Sequence, residues 1–261
     1  MLGDPIMRRA LAEVLLLSLA CGPLGVWVLL HRQSYAAESM SHGMLPGLVI
    51  AALAGLPLVL GAGAGVLVAA GAISLAGRDE RVGPDAGVAV AVGTLFGLGA
   101  LLALSPDAPP RLQELLFGDL LGVTGRDLAV AGGLAAAVML ALAVAHRPLA
   151  ASAFDRPAAT SLGVRPVRWE LILLVILGVA TVAAAPGLGN LLLVALVLAP
   201  AAAALALTQR LVVALALAAA IAAAAGIAGL VLSYRLDVAA GGAIALCAVA
   251  LALPGLMLRR A

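Results

Sequence analysis

Apolar runs of about 20 residues, interrupted by short groups of Gly, Pro, Arg, Asp and Ser, recur along the whole chain. A run of that length is what an α-helix needs to cross a hydrocarbon layer ~30 Å thick. Read against the breakers, the pattern predicts nine spans, near residues 10–30, 38–55, 57–76, 86–104, 128–146, 171–186, 188–207, 211–232 and 238–257. The second and sixth are short, and the breaks at Pro57 and Pro186-Gly187 fit kinks or tight hairpins, so eight spans is the alternative. The expected fold is all-α, a polytopic membrane helical bundle of about eight to nine transmembrane helices forming one domain over residues 1–261. Gly61 with Gly65 and Gly93 with Gly97 have the small-xxx-small spacing that lets helices approach closely in lipid.

Composition agrees with this reading. The 261 residues are 64% hydrophobic and 11% charged, far from the balance of a soluble domain. Lysine is absent, so all 15 basic residues are arginine, and a P-loop with its phosphate-binding lysine is excluded. Any ATP used by this protein is therefore bound on a separate subunit. A net charge of +2 points to no nucleic-acid partner. Ten arginines (32, 78, 81, 147, 156, 165, 168, 210, 259 and 260) fall on one side of the nine-span topology. That side is expected to be cytoplasmic, with the N-terminus outside and the C-terminus inside. Arg8 and Arg9 count against this orientation. Cys21 and Cys247 read as small buried hydrophobes, and Arg8-Arg9 before an apolar run reads as the start of a retained first span.

Against this apolar background, Glu38 and His42 stand four residues apart. On a helix that spacing puts them on one face, about 5–6 Å apart at Cβ, close enough for one divalent cation to touch both. Ser34 and Ser41 fall near the pair, with Met40 and Met44 opposite. Pro46 lacks the N–H that would bond the carbonyl of His42, so the spacing predicts a kink there and a free backbone oxygen beside the two side chains. Ionisable groups inside spans cost roughly 2.5–3.5 kcal/mol on insertion scales and tend to be kept for function. The plainer reading makes both residues a helix cap at the membrane surface.

Two polar interruptions carry further signals. Over residues 147–170, Asp155 is placed to cap a short helix, Pro157 fits its first turn, and Gly163 fits the left-handed position after its end. With Phe154 and Leu162 otherwise exposed, that helix calls for a partner to receive it, the alternative being a loop helix lying on the membrane. Between Arg111 and Asp127, the Leu115–Gly122 stretch is too short to cross and reads as an interfacial helix with a solvated Asp119.

The stretch Ser34 through Gly47 resembles the S-Y-x-G-D-x-x-S-H-A-x-L-P-G pattern of permease subunits of bacterial ABC importers for zinc, manganese or iron. Leu116 to Val123 is similar to that family's L-x-G-x-x-L-G-V, Phe154 to Val164 to its F-D-x-x-x-A-x-x-L-G coupling segment, and Gly189 to Ala203 to its G-x-L-L-V-x-A-L-L-x-x-P-A-A run. The resemblance implies a metal path through Glu38 and His42 and a coupling helix near Asp155 to Leu162, with Phe154, Asp155, Leu162 and Gly163 docking on the ATPase. It also implies an ATP-binding cassette subunit, an extracytoplasmic metal-binding protein and a second permease subunit, with a homodimer expected, all in the bacterial cytoplasmic membrane. Glu38 replaces the usual aspartate and Ala37 the usual glycine, which keeps the charge and lengthens the arm. The expected cargo is a divalent transition metal, zinc first and manganese second, with no permanently bound cofactor. The rivals are a secondary divalent-cation transporter and a membrane-embedded metalloenzyme using the same pair, the latter weakened because Glu-x-x-x-His is not H-E-x-x-H.

Overall fold

A computed structural model describes residues 5–76, 84–105, 118–120, 122–185 and 187–258. Every regular element among them is a helix: α1 Pro5–Leu30, α2 Ser34–Gly43, α3 Leu45–Leu53, α4 Leu58–Ala76, α5 Pro84–Ala103, α6 Gly125–Phe154, α7 Arg156–Ser161, α8 Pro166–Ala184, α9 Asn190–Leu207, α10 Leu211–Leu236 and α11 Ala240–Leu258. Of these, α1, α4, α5, α6, α8 and α10 are long and apolar enough to cross a membrane, and α9 and α11 add shorter apolar stretches. Leu60, Leu67, Leu101, Leu140, Val212 and Leu246 are all exposed, a surface that suits lipid rather than water.

Two expectations change. The second span is two helices, α2 and α3, separated at Met44. Pro46 sits in the first turn of α3, where its missing N–H is one that no helix would use, so the chain ends one helix and begins another instead of bending a single one. The fifth span, expected to end near 146, runs to Phe154 through Pro148. Leu149 and Ser152 on this extension are buried, and Ser152 Oγ donates to the Pro148 carbonyl at 2.8 Å. Packing of that face carries the helix past the proline.

The chain divides into two compact units. The first takes residues 1–30, 114–140 and 183–261. In it α1 packs on α9 and α10, and α11 packs on the same two helices. Val14, Leu17, Leu193, Leu196, Leu230 and Ile244 fill its core. The second takes residues 31–113 and 141–182. Here α3 packs on α4 and α5, and α2 on the same pair. Lipid supplies no hydrophobic drive between helices, so close backbone approach must hold them together. Gly65 provides it: a Cβ there would come within 2.7 Å of the Met44 carbonyl oxygen. Gly61, its predicted small-xxx-small partner, faces the Gly47 backbone in the same way, whereas Gly93 and Gly97 open onto empty space.

Candidate metal path and coupling segment

Helix α2 begins with the Ala37 N–H bonded to the Gln33 carbonyl at 3.0 Å and ends at Gly43. Met40 and Met44 are fully buried, which turns the opposite face outward and leaves Glu38 exposed. His42, one turn later, is half-buried, with its ring edge-on to Phe96 of α5 at a centroid distance of 5.3 Å and an interplanar angle of 81°. Its Nδ1 is buried without a hydrogen-bond partner. A metal-bound imidazole usually donates its second ring N–H to a carbonyl or carboxylate. Ser41, expected beside the pair, is buried.

The free oxygen predicted at Pro46 is not there. The break at Met44 turns the Met44 N–H onto the His42 carbonyl, and the Leu48 N–H bonds the Met44 carbonyl at 3.1 Å. The cleft beside the break, lined by Gly43, Pro46, Gly47, Ile50, Leu60 and Gly65, is apolar and offers no ligands. The polar donors of the site are therefore the two side chains, one carboxylate and one imidazole. Among the described residues no cluster of three or more His, Cys, Asp or Glu could hold a metal.

Helix α7 follows the predicted capping closely. The Ala158 N–H donates to Asp155 Oδ1 at 2.9 Å, with Asp155 in extended backbone. At the other end Gly163 has φ +82°, its N–H bonds the Thr160 carbonyl at 3.0 Å, and the Val164 N–H reaches back to the Ala159 carbonyl at 3.0 Å. That pair of bonds is a Schellman termination, which needs a residue free to adopt the left-handed region. Ala159 anchors the helix by burial, while Phe154 is 69% and Leu162 79% exposed. Two large apolar side chains thus flank a six-residue helix with both ends capped. Arg156 reaches Glu170 at 2.6 Å, an ion pair open enough to add only ~0–1 kcal/mol of stability, so geometry is its main contribution.

The predicted interfacial helix over Leu115–Gly122 lies partly outside the described residues, which omit Leu115, Leu116, Phe117 and Leu121. Its described part is not helical: Asp119 Oδ1 accepts the Gly122 N–H at 3.0 Å, and Asp127 accepts from the Thr124 N–H at 3.1 Å to start α6. A buried carboxylate escaped sequence reasoning. Glu13 of α1 is fully buried, with neither carboxylate oxygen hydrogen-bonded, against the backbone of Gly187 in the same unit. As the lone acidic residue of α1, it carried a signal, which its nearness to Arg8 and Arg9 disguised as a helix-end charge.

The chain matches the model of the ABC 3 transport family over residues 3–259. It is similar to the manganese transport system membrane protein MntC of Halalkalibacterium halodurans, with 33% identity over 193 residues covering 74% of this chain and 66% of that protein. It is also similar to the chelated iron transport system membrane protein YfeD of Yersinia pestis, with 27% identity over 189 residues covering 72% of this chain and 63% of that protein. The matched part thus spans just under two thirds of these relatives' length. A solved structure of PsaBC from Streptococcus pneumoniae in complex with Fab has a TM-score of 0.86 to this chain at 26% identity, covering 97% of this chain and 91% of that one.

Proposed function

The chain belongs to the ABC 3 transport family and is a multi-pass inner-membrane protein, and from that premise we propose that it is the permease of an ATP-driven importer for a divalent transition metal. The observation that carries this reading is the i,i+4 pair of an exposed Glu38 and a half-buried His42 on a helix whose opposite face is buried methionine. One carboxylate and one imidazole are half of a four-ligand set. A second permease subunit related by a twofold axis would bring another such pair to the same axis and complete it. An incomplete site on each subunit suits a path that must release its ion. In this reading the metal arrives from an extracytoplasmic binding protein, and α7 receives the ATPase through Phe154 and Leu162.

Relatives named for manganese and chelated iron move manganese ahead of zinc in the proposed cargo order. A carboxylate-imidazole pair without thiolates suits manganese and iron, and it disfavours copper(I). Co-expression with the ATPase of the system, followed by reconstitution with a metal-loaded binding protein, tests the proposal. The expected outcome is co-purification of the two subunits and manganese uptake that requires ATP. Uptake driven by an ion gradient without ATP would instead support the secondary-transporter reading.

A further inference from the structure

The three residues that lead into α2 are held from two sides. His31 Nε2 lies 3.2 Å from Ser152 Oγ, on the extension of α6 just before α7. Gln33 Nε2 donates to the Glu170 backbone carbonyl at 3.5 Å, near the start of α8, the helix that follows α7. Glu170 in turn takes the guanidinium of Arg156, the first residue of α7. Between the two held residues, Arg32 sits at φ +57°. A bulky non-glycine residue there costs free energy and persists only where its surroundings over-determine the backbone. All of these residues lie within the second unit.

The contacts therefore form a chain of named atoms from α7 to the entrance of α2, the helix that bears Glu38 and His42. We infer that the turn His31-Arg32-Gln33 is the joint that transmits movement of α7 to α2, and that Gln33, Glu170 and Arg156 are positioning residues for transport. The inference rests on the reading of α7 as the ATPase-docking helix and of α2 as the metal helix. The joint is suited to two arrangements, because the Gln33 amide is only half satisfied: its Oε1 is buried with no donor while its Nε2 is engaged. A shift of α8 that hands Oε1 a donor would replace the lost bond to the Glu170 carbonyl. Small shifts at one end of such a packed chain are converted into discrete rearrangements at the other.

The test uses the full complex with its ATPase in proteoliposomes, following manganese uptake and ATP hydrolysis together over a range of metal-loaded binding protein. Gln33→Leu should lower maximal uptake roughly 5- to 10-fold, the lower part of the usual span of a coupling free energy, while ATP hydrolysis and half-saturation stay as in the parent. Arg156→Glu should lower uptake per ATP, and adding Glu170→Arg should restore most of it, a rescue that mere structural damage would not show. Should Gln33→Leu fail to assemble, the charge swap and Ser152→Ala decide the question. Unchanged uptake per ATP in the decisive variants would overturn the inference, as would a shift in half-saturation at an unchanged maximal rate. If the parent protein itself moves no metal at the expense of ATP, the functional reading fails. If the parent does and Gln33→Leu matches it, only the joint fails.

Discussion

At the scale of single residues, reach and charge govern the proposed path. Glu38 stands where the resembled pattern has an aspartate, so its carboxylate extends one methylene further from α2. Glu38→Asp should keep transport and change the ratio of zinc to manganese taken up, measured in competition. An unchanged ratio would mean that the arm length does not tune the site. Glu13 makes a different kind of prediction. A Cβ on Gly187 would meet Glu13 Oε1 at 2.5 Å and Cδ at 2.7 Å, and the Glu13 side chain is enclosed on all sides. Gly187→Ala should therefore destabilise the purified protein by the ~1–3 kcal/mol typical of overpacking and lower its thermal unfolding temperature, while Gly97→Ala, which lies inside α5 and meets nothing, should not lower it. The residue-level features legible in the sequence were those with a local rule: Glu38 with His42 by helical spacing, and Asp155 and Gly163 by capping. His31, Gln33 and Glu170 were not legible, because their contacts join residues more than a hundred positions apart.

Elements were legible to the extent that hydrophobic period and breakers specify them. The caps of α7 appeared where Asp155, Pro157 and Gly163 placed them. The break in the second span differs in kind from the expected kink, because a proline three residues past a helix end and a proline inside a helix leave the same trace in sequence. Extension of α6 through Pro148 was missed for the opposite reason: a breaker was overridden by the packing of Leu149 and Ser152, which is tertiary information. Asp155→Ala should cost α7 about 0.5–2 kcal/mol of cap stability and so reduce uptake partially. Leu162→Asp should act more strongly, because it places a charge on the exposed apolar residue proposed to meet the ATPase. ATP hydrolysis no longer stimulated by loaded binding protein, with the permease still folded, is the expected outcome; stimulation at the parent level would remove α7 from the mechanism.

For the whole molecule, composition gave the class of protein and the arginine distribution gave an orientation. The division into two packed units was not legible, since each unit is assembled from distant segments of the chain. With α2 and α3 counted as one crossing and the arginine-rich side proposed as cytoplasmic, the topology to be tested puts residues 147–170 inside and residues 187–190 outside. Cysteines introduced at Ser161 and Asn190 should be labelled by an impermeant reagent from the inside and the outside respectively; labelling of Ser161→Cys from outside would reverse the topology. The claim on which the rest depends is that metal crosses at Glu38 and His42. The most direct measurement is ATP-driven manganese uptake into proteoliposomes holding the full complex, comparing the parent with Glu38→Gln and His42→Ala at matched expression and ATPase assembly. Each substitution is expected to abolish most uptake while the complex stays intact. Uptake of manganese and zinc at parental rates by both variants would contradict it and place the metal path elsewhere in the protein.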